Sequence, residues 1–463
     1  MLRLISITLL FAFSLGNALT HQAKSGSRDD VQAAINKAQI GDTVFIPAGN
    51  FVFNGGVSLK GGITIMGAGR DKTTLRRTSS GSTYMFTVNC SNGGQLVITG
   101  LTIVGLSPSM SPGIKLTNNC QDFRIYDNTF KKCMDRAIEI HGNTRGVIDH
   151  NIFIDNNLTA IVVFGDGDKG WQRKLELGSA DAVYVEDNYF RQENIASSNM
   201  HHHIASNNGS RYVFRYNECD DGNLASSAVD AHGNKFYWPR GSRGYEVYGN
   251  TFKSGRRWVC INMRGGDGVI FDNKFFGSYS YPLQIMHEGK QGDGNCKYPC
   301  VDQIRQLYIW NNTYENKRFE IRTPHPNIIK LDRDYFLKEM PGYKPYTYPH
   351  PLTKSAADKD EKPTGVASMH KSLATGKTGF INFNNRQNII EGQLSPEFAG
   401  QNLNVMIFNA QGKLVREISA KASLNGEFRF GLNDQHADLA SGVYTLHLKS
   451  GSLELQKPLI ISR

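Results

Sequence analysis

One short phrase recurs through the middle of the chain: a run of alternating apolar and polar positions, an asparagine, one residue, and an aromatic. It reads Asn128-Thr129-Phe130, Asn151-Ile152-Phe153, Asn188-Tyr189-Phe190, Asn250-Thr251-Phe252, Asn273-Lys274-Phe275 and Asn312-Thr313-Tyr314, with the variant Asn217-Glu218-Cys219. Successive asparagines are 23, 37, 29, 33, 23 and 39 residues apart. The minimum of 23 is one coil, and the excess is loop insertion. Five and three residues before each Asn stand Phe123 and Ile125, Val183 and Val185, Tyr212 and Phe214, Tyr245 and Val247, or Leu307 and Ile309, with Gly146 and Gly268 the exceptions. Period-two alternation marks a strand with one buried face. The asparagine is expected to take a left-handed bend and to hydrogen-bond its stacked neighbours, and the aromatic to return to the interior. A single coil cannot bury its apolar face, whereas a stack of coils can.

The pattern predicts an all-β chain: a right-handed parallel β-helix with an N-terminal capping helix, followed by a small C-terminal β-sandwich. Asp29-Asp30 precedes Val31, Ala34, Ile35 and Ala38, an amphipathic helix with acidic residues in its first turn, placed to cover the open end of the solenoid. Thr43–Ile46, Val57–Leu59 and Ile63–Met66 read as the first, less regular coils. From about Arg322 the repeat stops, and prolines at 324, 326, 341, 345, 349 and 351 punctuate a stretch expected to pack along the solenoid's side. Residues 353–378, rich in Lys, Asp, Ser, Thr and Gly, read as a linker. Short strands from 379 to 463 read as the sandwich. The β-helix is thus expected over 21–352.

Arg3, the apolar run Leu4–Leu15 and the small-residue end Gly16-Asn17-Ala18 have the layout of a secretory signal peptide, here bounded at 1–20. No later segment is apolar enough for a membrane span. A net charge of +10 suits an acidic polymer met outside the cell. An acidic polysaccharide is the expected partner, nucleic acid is not, and the chain is expected to act as a monomer. Seven cysteines leave at least one unpaired, and Cys296 with Cys300 is the expected disulfide.

Residues 29–352 resemble the pectate-lyase-like right-handed β-helix superfamily. The Asn-x-Phe turns, Arg211–Asn217, Val229-Asp230-Ala231-His232-Gly233, Arg264-Gly265-Gly266 and Tyr346–Leu352 carry the likeness. That superfamily includes lyases, hydrolases, epimerases and phage spikes. The last 80 or so residues resemble the C-terminal sorting domain of the type IX secretion system of Bacteroidetes, through Val405–Asn409, Leu439–Tyr444 and Lys457–Ile461. This resemblance implies passage through the type IX machinery to the outer-membrane surface or the medium.

The strand upstream of each turn strand can be aligned between coils. Ala137–Gly142 matches Ala160–Gly165, Ala228–Gly233 and Cys260–Gly265. With Ile138, Ile161, Val229 and Ile261 inward, the outward column holds Glu139, His141, Phe164, Asp230, His232, Asn262 and Arg264. The same frame places His203 outward. Insertions at 165–179 and 234–243 supply Trp171, Arg173, Lys174, Lys235, Tyr237, Trp238, Arg240 and Arg243 as groove walls. Adjacent strand residues alternate faces, so His201, His202 and His203 cannot all bind one metal.

β-Elimination from a uronate needs its carboxylate neutralised, a base for the C5 proton and an acid for the departing O4. The sequence offers His203 or His232 as base, Arg264 and Lys235 as carboxylate partners, and Asp230 to hold an imidazole tautomer. Tyr237 is the nearest tyrosine acid. Glu139, His141, Tyr237, Trp238, Arg240 and Asn262 are expected to bind substrate. Hydrolysis would instead use a carboxylate pair, for which Asp220-Asp221 is the candidate. A non-catalytic polysaccharide-binding protein is the third reading. Calcium remains open, with Asp166, Asp168, Glu186 and Asp187 as oxygen donors.

Overall fold

The computed structural model describes residues 18–91, 93–193, 201–224, 226–235, 238–315, 317–354 and most of 380–461. The expected signal segment up to residue 17, most of the expected linker and Tyr237 lie outside the described residues. The chain divides into two compact units, residues 1–355 and 356–463.

The first unit is a parallel β-helix in which each regular coil contributes a strand to three sheets. The first sheet has 12 strands in chain order, from Thr20–Gln22 to Tyr335–Phe336. Thr20 pairs with Thr43, and the Leu19 N–H donates to Asp42, so ordered structure begins before the expected boundary at residue 21. The second sheet stacks the turn strands Thr129–Lys131, Ile152–Ile154 and Tyr189–Gln192. The third sheet stacks Arg136–His141, Leu158–Phe164, His201–Asn207 and Val229–Ala231. Two long strands, Thr251–Met263 and Lys274–Ile285, run round the corner and serve both sheets.

The asparagines form a continuous internal ladder. Each side-chain Nδ2 donates to Oδ1 of the next asparagine, from Asn128 through Asn151, Asn188, Asn217, Asn250 and Asn273 to Asn312, at 2.9–3.1 Å. Nδ2 of Asn217 also donates to Val185 O and Arg215 O, and its Oδ1 accepts from Asn188 N–H. Buried amides are thereby satisfied at a corner where the backbone turns away from sheet pairing. The left-handed residue is not the asparagine, as expected, but the one before it: Asp127, His150, Asp187, Tyr216, Asp272 and Asn311 have φ between 51° and 55°.

Phe130, Phe153 and Phe190 stack at 5.0 and 4.7 Å, and Phe252 stacks on Phe275 at 5.2 Å. Each such pair adds about 0.5–1.5 kcal/mol beyond area burial. At the N-terminal end, Ser27 caps the helix Arg28–Ile35, whose Val31, Ala34 and Ile35 seal the core. Past the last coil, residues 343–353 strap the outside of the first sheet. Arg215, fully buried against Glu186, donates to the carbonyls of Tyr346 and Thr347, and Glu186 accepts from the His350 N–H. Cys90–Cys120 and Cys296–Cys300 are disulfides, and Cys133, Cys219 and Cys260 are free and buried.

The second unit is antiparallel. A three-stranded sheet and a four-stranded sheet enclose Ile390, Leu403, Val405, Ile407, Phe428, Leu446 and Leu448.

Candidate active site

The register of the third sheet aligns side chains from successive coils. Ile114, Ile138, Ile161, Ile204, Val229, Ile261 and Leu283 form one inward row. The adjacent outward row is Lys115, Glu139, Val162, Ala205, Asp230, Asn262, Gln284 and Arg322. Two residues further along stand His141, Phe164 and Asn207.

Asp230, His232, Arg264 and Asn262 meet in one cluster. Asp230 is fully buried. Its carboxylate accepts from Arg264 Nε at 3.1 Å, from Arg264 Nη2 and from Asn262 Nδ2 at 3.1 Å, and lies 3.0 Å from His232 Nε2. Burial alone would raise this carboxyl, but the Arg264 charge, helped by His232 and His202, holds it well below the usual carboxylate range. Gln284 Nε2 donates to Asn262 Oδ1 at 2.8 Å, and Arg322 bonds Gln284 Oε1.

Two members of this cluster were not anticipated. Glu288 follows the strand Lys274–Ile285, on the loop that carries the Cys296–Cys300 disulfide. Its Oε2 accepts from the Gly233 N–H at 3.0 Å and lies 3.2 Å from His232 Nδ1, while Oε1 meets Arg264 Nη1. Glu288 thus faces Nδ1 of His232, while Asp230 faces Nε2. The other is His202, whose Nδ1 is 2.7 Å from Ser227 O and whose Nε2 faces Asp230 at 4.0 Å. Burial lowers His202 to about 4 against the pull of Asp230, so it is neutral at pH 7.

His203 corrects the outward assignment. It is 3% exposed, its Nε2 is 2.8 Å from Asp221 Oδ2, and its ring packs 4.8 Å from Phe190 inside the solenoid. Strict alternation fails at the corner where each third-sheet strand begins. Ala137, Ala160, Ala228 and Cys260, each one place before an inward residue, all belong to the core, and His203 occupies the same position. His202 faces out instead. Asp221 pairs with His203 and Arg257 in the interior, whereas its neighbour Asp220 contacts Tyr189 in a partly buried position. Asp220-Asp221 is therefore not a carboxylate pair facing one bond.

Lys235 lies beyond the cluster, 2.8 Å from Asp293. Arg240 is bound to Asp302 and Asp168 and lies 4.7 Å from the Trp171 ring, so it braces the groove wall. Glu139 and His141 form a second cluster three strand spacings from Asp230, about 14 Å. There Glu139 accepts from Tyr84 and Lys115 and lies 2.6 Å from His141 Nε2. Burial would raise Glu139, but these partners and Arg136 bring it down to about 2. Trp238 packs on Phe164 at 4.5 Å.

The oxygen donors named for calcium do not converge. Asp166 binds Arg173, Asp168 binds Arg240, Glu186 binds Arg215, and Asp187 accepts from Tyr348. Among the described residues, His287, Cys296 and Cys300 lie within 4.8 Å of one another, but the two cysteines are joined as a disulfide.

Residues 16–225 match the family described as rhamnogalacturonase A/epimerase, pectate lyase-like, and residues 385–462 match the secretion system C-terminal sorting domain. The first unit is a parallel β-helix that contains a pectate-lyase-like domain over the matched residues, and the chain carries a sorting domain of the type IX secretion system at 385–462. A domain of this kind indicates export to the cell surface or release in Bacteroidetes, and no helix among the described residues is long and apolar enough to cross a membrane.

Among solved structures, the chain is similar to the catalytic unit of an α-1,3-glucanase from Streptomyces thermodiastaticus, at 14% identity and a TM-score of 0.38, covering 68% of each chain. It is similar to the A-module of a mannuronan C-5 epimerase from Azotobacter vinelandii, at 14% identity and a TM-score of 0.35, covering 71% of this chain and 99% of that one. It is also similar to a tailspike capsular polysaccharide depolymerase from an Acinetobacter baumannii bacteriophage, at 11% identity and a TM-score of 0.35, covering 96% and 78%. No curated protein matches the chain.

Proposed function

We propose that this exported protein cleaves a uronic-acid-containing polysaccharide by β-elimination at the His232–Arg264 centre. The observation that carries the reading is the setting of His232 on the outward face of the third sheet. With the Nδ1 proton directed at Glu288, Nε2 carries the lone pair, which Arg264 Nη2 covers and which becomes a base when a substrate carboxylate draws that N–H away. Arg264 brings a positive charge to the same ring, its Nη2 lying 2.9 Å from His232 Nε2. The guanidinium has five N–H donors. Two meet Asp230, one meets Glu288 and one faces His232, which leaves one on Nη1 for a substrate carboxylate or the departing oxygen. Asp230, itself held by Asn262 Nδ2, anchors two of the guanidinium N–H groups.

One feature favours hydrolysis as a second reading. Asp230 and Glu288 are two carboxylates about a single guanidinium, and both contact His232. A carboxylate pair is what glycoside hydrolysis uses. Incubating the full chain with pectate, alginate, glucuronan and glycosaminoglycans separates the two. Absorbance from unsaturated sugar ends is expected for elimination, and new reducing ends without that absorbance would replace the lyase reading with hydrolysis. Binding without either product would leave a polysaccharide-binding protein.

A further inference from the structure

The loop that follows the strand Lys274–Ile285 gathers sulfur and imidazole donors beside the centre. Cys296-Lys297-Tyr298-Pro299-Cys300 spaces two sulfurs by three residues, inside the range of about two to four found between zinc-binding cysteines. His287 is 3% exposed, and both its ring nitrogens lie 3.6 Å from Cys296 Sγ. The Gly294 N–H donates to His287 Nδ1 at 3.3 Å, a long bond that marks Nδ1 as the nitrogen with the lone pair. The backbone of His287 is pinned in turn, its N–H donating to His325 Nδ1 at 3.2 Å. One ligand atom from each of His287, Cys296 and Cys300 lies within 4.8 Å of the others. Around a tetrahedral zinc, with Zn–S about 2.3 Å and Zn–N about 2.0–2.1 Å, a sulfur and a nitrogen stand about 3.6 Å apart and two sulfurs about 3.8 Å. The His287–Cys296 edge already has that length. The Cα atoms of the two cysteines are 5.9 Å apart, which leaves room for the sulfurs to part.

We propose that His287, Cys296 and Cys300 form a zinc site when the Cys296–Cys300 disulfide is reduced, with water in the fourth position. The site stands apart from the chemistry assigned to the His232–Arg264 centre. In oxidising surroundings the cysteines are a disulfide. Cys296 is the more exposed of the two and lies among the exposed residues Asn295, Lys297, Tyr298 and Pro299, so an external dithiol reaches it first. The dithiol's thiolate attacks Cys296 Sγ, which breaks the S–S bond and releases Cys300 as a thiolate. Its second thiol then displaces Cys296 and closes the reductant's own disulfide. Two electrons pass to the cysteines, the dithiol is oxidised, and its two protons leave to solvent as Zn2+ takes both thiolates. The same loop carries Glu288 directly after His287, with Asp293 and Asp302 on either side of the cysteines. Disulfide and zinc are thus alternative clasps on the segment that reaches His232, Lys235 and Arg240.

The test is zinc binding by the full-length protein, reduced with a phosphine and desalted without oxygen. Titration calorimetry is expected to show one Zn2+ per chain with a Kd below about 1 μM, and none for the oxidised protein. Co2+ in place of zinc is expected to give thiolate-to-cobalt charge-transfer absorbance. His287→Ala is expected to weaken zinc binding at least about tenfold, and the double variant Cys296→Ser/Cys300→Ser to abolish it. Thermal unfolding shows whether each variant folds; if His287→Ala does not, the double variant, altered only in the exposed loop, carries the test. Trypsin is expected to cut after Lys290 or Lys297, both exposed, faster in the reduced metal-free protein than in the oxidised one, and zinc to slow it again. No zinc binding by the reduced protein, equal binding by the oxidised protein or the double variant, or full affinity in a folded His287→Ala overturns the proposal. Zinc bound without slower cleavage overturns the clasp.

Discussion

Glu288→Gln is the substitution that bears most directly on the proposed chemistry. The replacement keeps the size of the side chain and removes one charge. In the wild type the carboxylate accepts from the Gly233 N–H at 3.0 Å, faces His232 Nδ1 at 3.2 Å and pairs with Arg264. An amide has one acceptor oxygen where the carboxylate has two, and its NH2 turned toward Arg264 sets donor against donor. The carboxamide therefore satisfies His232 and Gly233 or Arg264, but not both sides. A hydrogen bond to a charged group is worth about 1.5–3 kcal/mol, which converts to roughly a 10- to 150-fold loss in kcat/KM at 1.4 kcal/mol per tenfold. Because the contacts orient the base and the guanidinium rather than hold substrate in its ground state, kcat is expected to fall in parallel.

The assay is initial rate on whichever polymer the wild type cleaves, followed both by unsaturated-end absorbance and by reducing ends, with thermal unfolding recorded alongside. A rate within twofold of wild type at unchanged Tm would refute the role given to Glu288. A rise in KM with kcat intact would move Glu288 from orienting the centre to binding the substrate.

Asn217→Ala removes the middle of the asparagine ladder, strands the Asn188 N–H and takes the Nδ2 donor from the carbonyls of Val185 and Arg215, while Oδ1 of Asn250 keeps the N–H of residue 217; a loss of about 3 kcal/mol in stability is expected by denaturant unfolding. Arg215→Met breaks a fully buried pair with Glu186 and frees the carbonyls of Tyr346 and Thr347; a loss of about 3–5 kcal/mol and faster proteolysis between residues 341 and 353 are expected. Glu139, held down to about 2 from its ordinary 4.5, contributes stability that is present above pH 4.5 and lost as pH falls toward 2; in Glu139→Gln the wild type's advantage, about 3 kcal/mol at neutral pH, should shrink across that window. His202, lowered to about 4, binds its proton more readily in the unfolded chain, so folding stability should fall as pH drops from 6.5 to 4; His202→Gln should flatten that slope in chemical unfolding measured at fixed pH steps.

The solenoid was legible because its repeat is local. An asparagine and an aromatic two residues on recur wherever a coil turns, and each residue's role depends on its copy one coil away. The same ruler brought Asp230, His232, Asn262 and Arg264 into one cluster, since residues on one face of a stacked strand lie about 4.8 Å from their copies. It misplaced His203 for a definite reason. Alternation holds along a straight strand, and His203 stands at the corner, where two consecutive positions face the core. The neighbouring alanines in the alignment were the available signal, since the small residues at 137, 160 and 228 mark a position crowded from inside.

Glu288 was out of reach of any periodic argument. It reaches the centre from an insertion, and nothing in its sequence neighbourhood repeats. What ties it there is a set of long-range contacts from the disulfide-bearing loop. Glu288 meets His232, Arg264 and the Gly233 N–H; Asp293 meets Lys235; Asp302 meets Arg240 and the Gly241 N–H. Two acids of that loop, Asp293 and Asp302, grip basic residues of the insertion that follows His232, and the third, Glu288, reaches the centre itself. The sheet therefore supplies a rigid outward row whose spacing is set by backbone pairing, while the paired insertions bring the group that orients the base. A division of this kind lets insertions change the groove without disturbing the ladder beneath, because the ladder's hydrogen bonds close entirely within the coils.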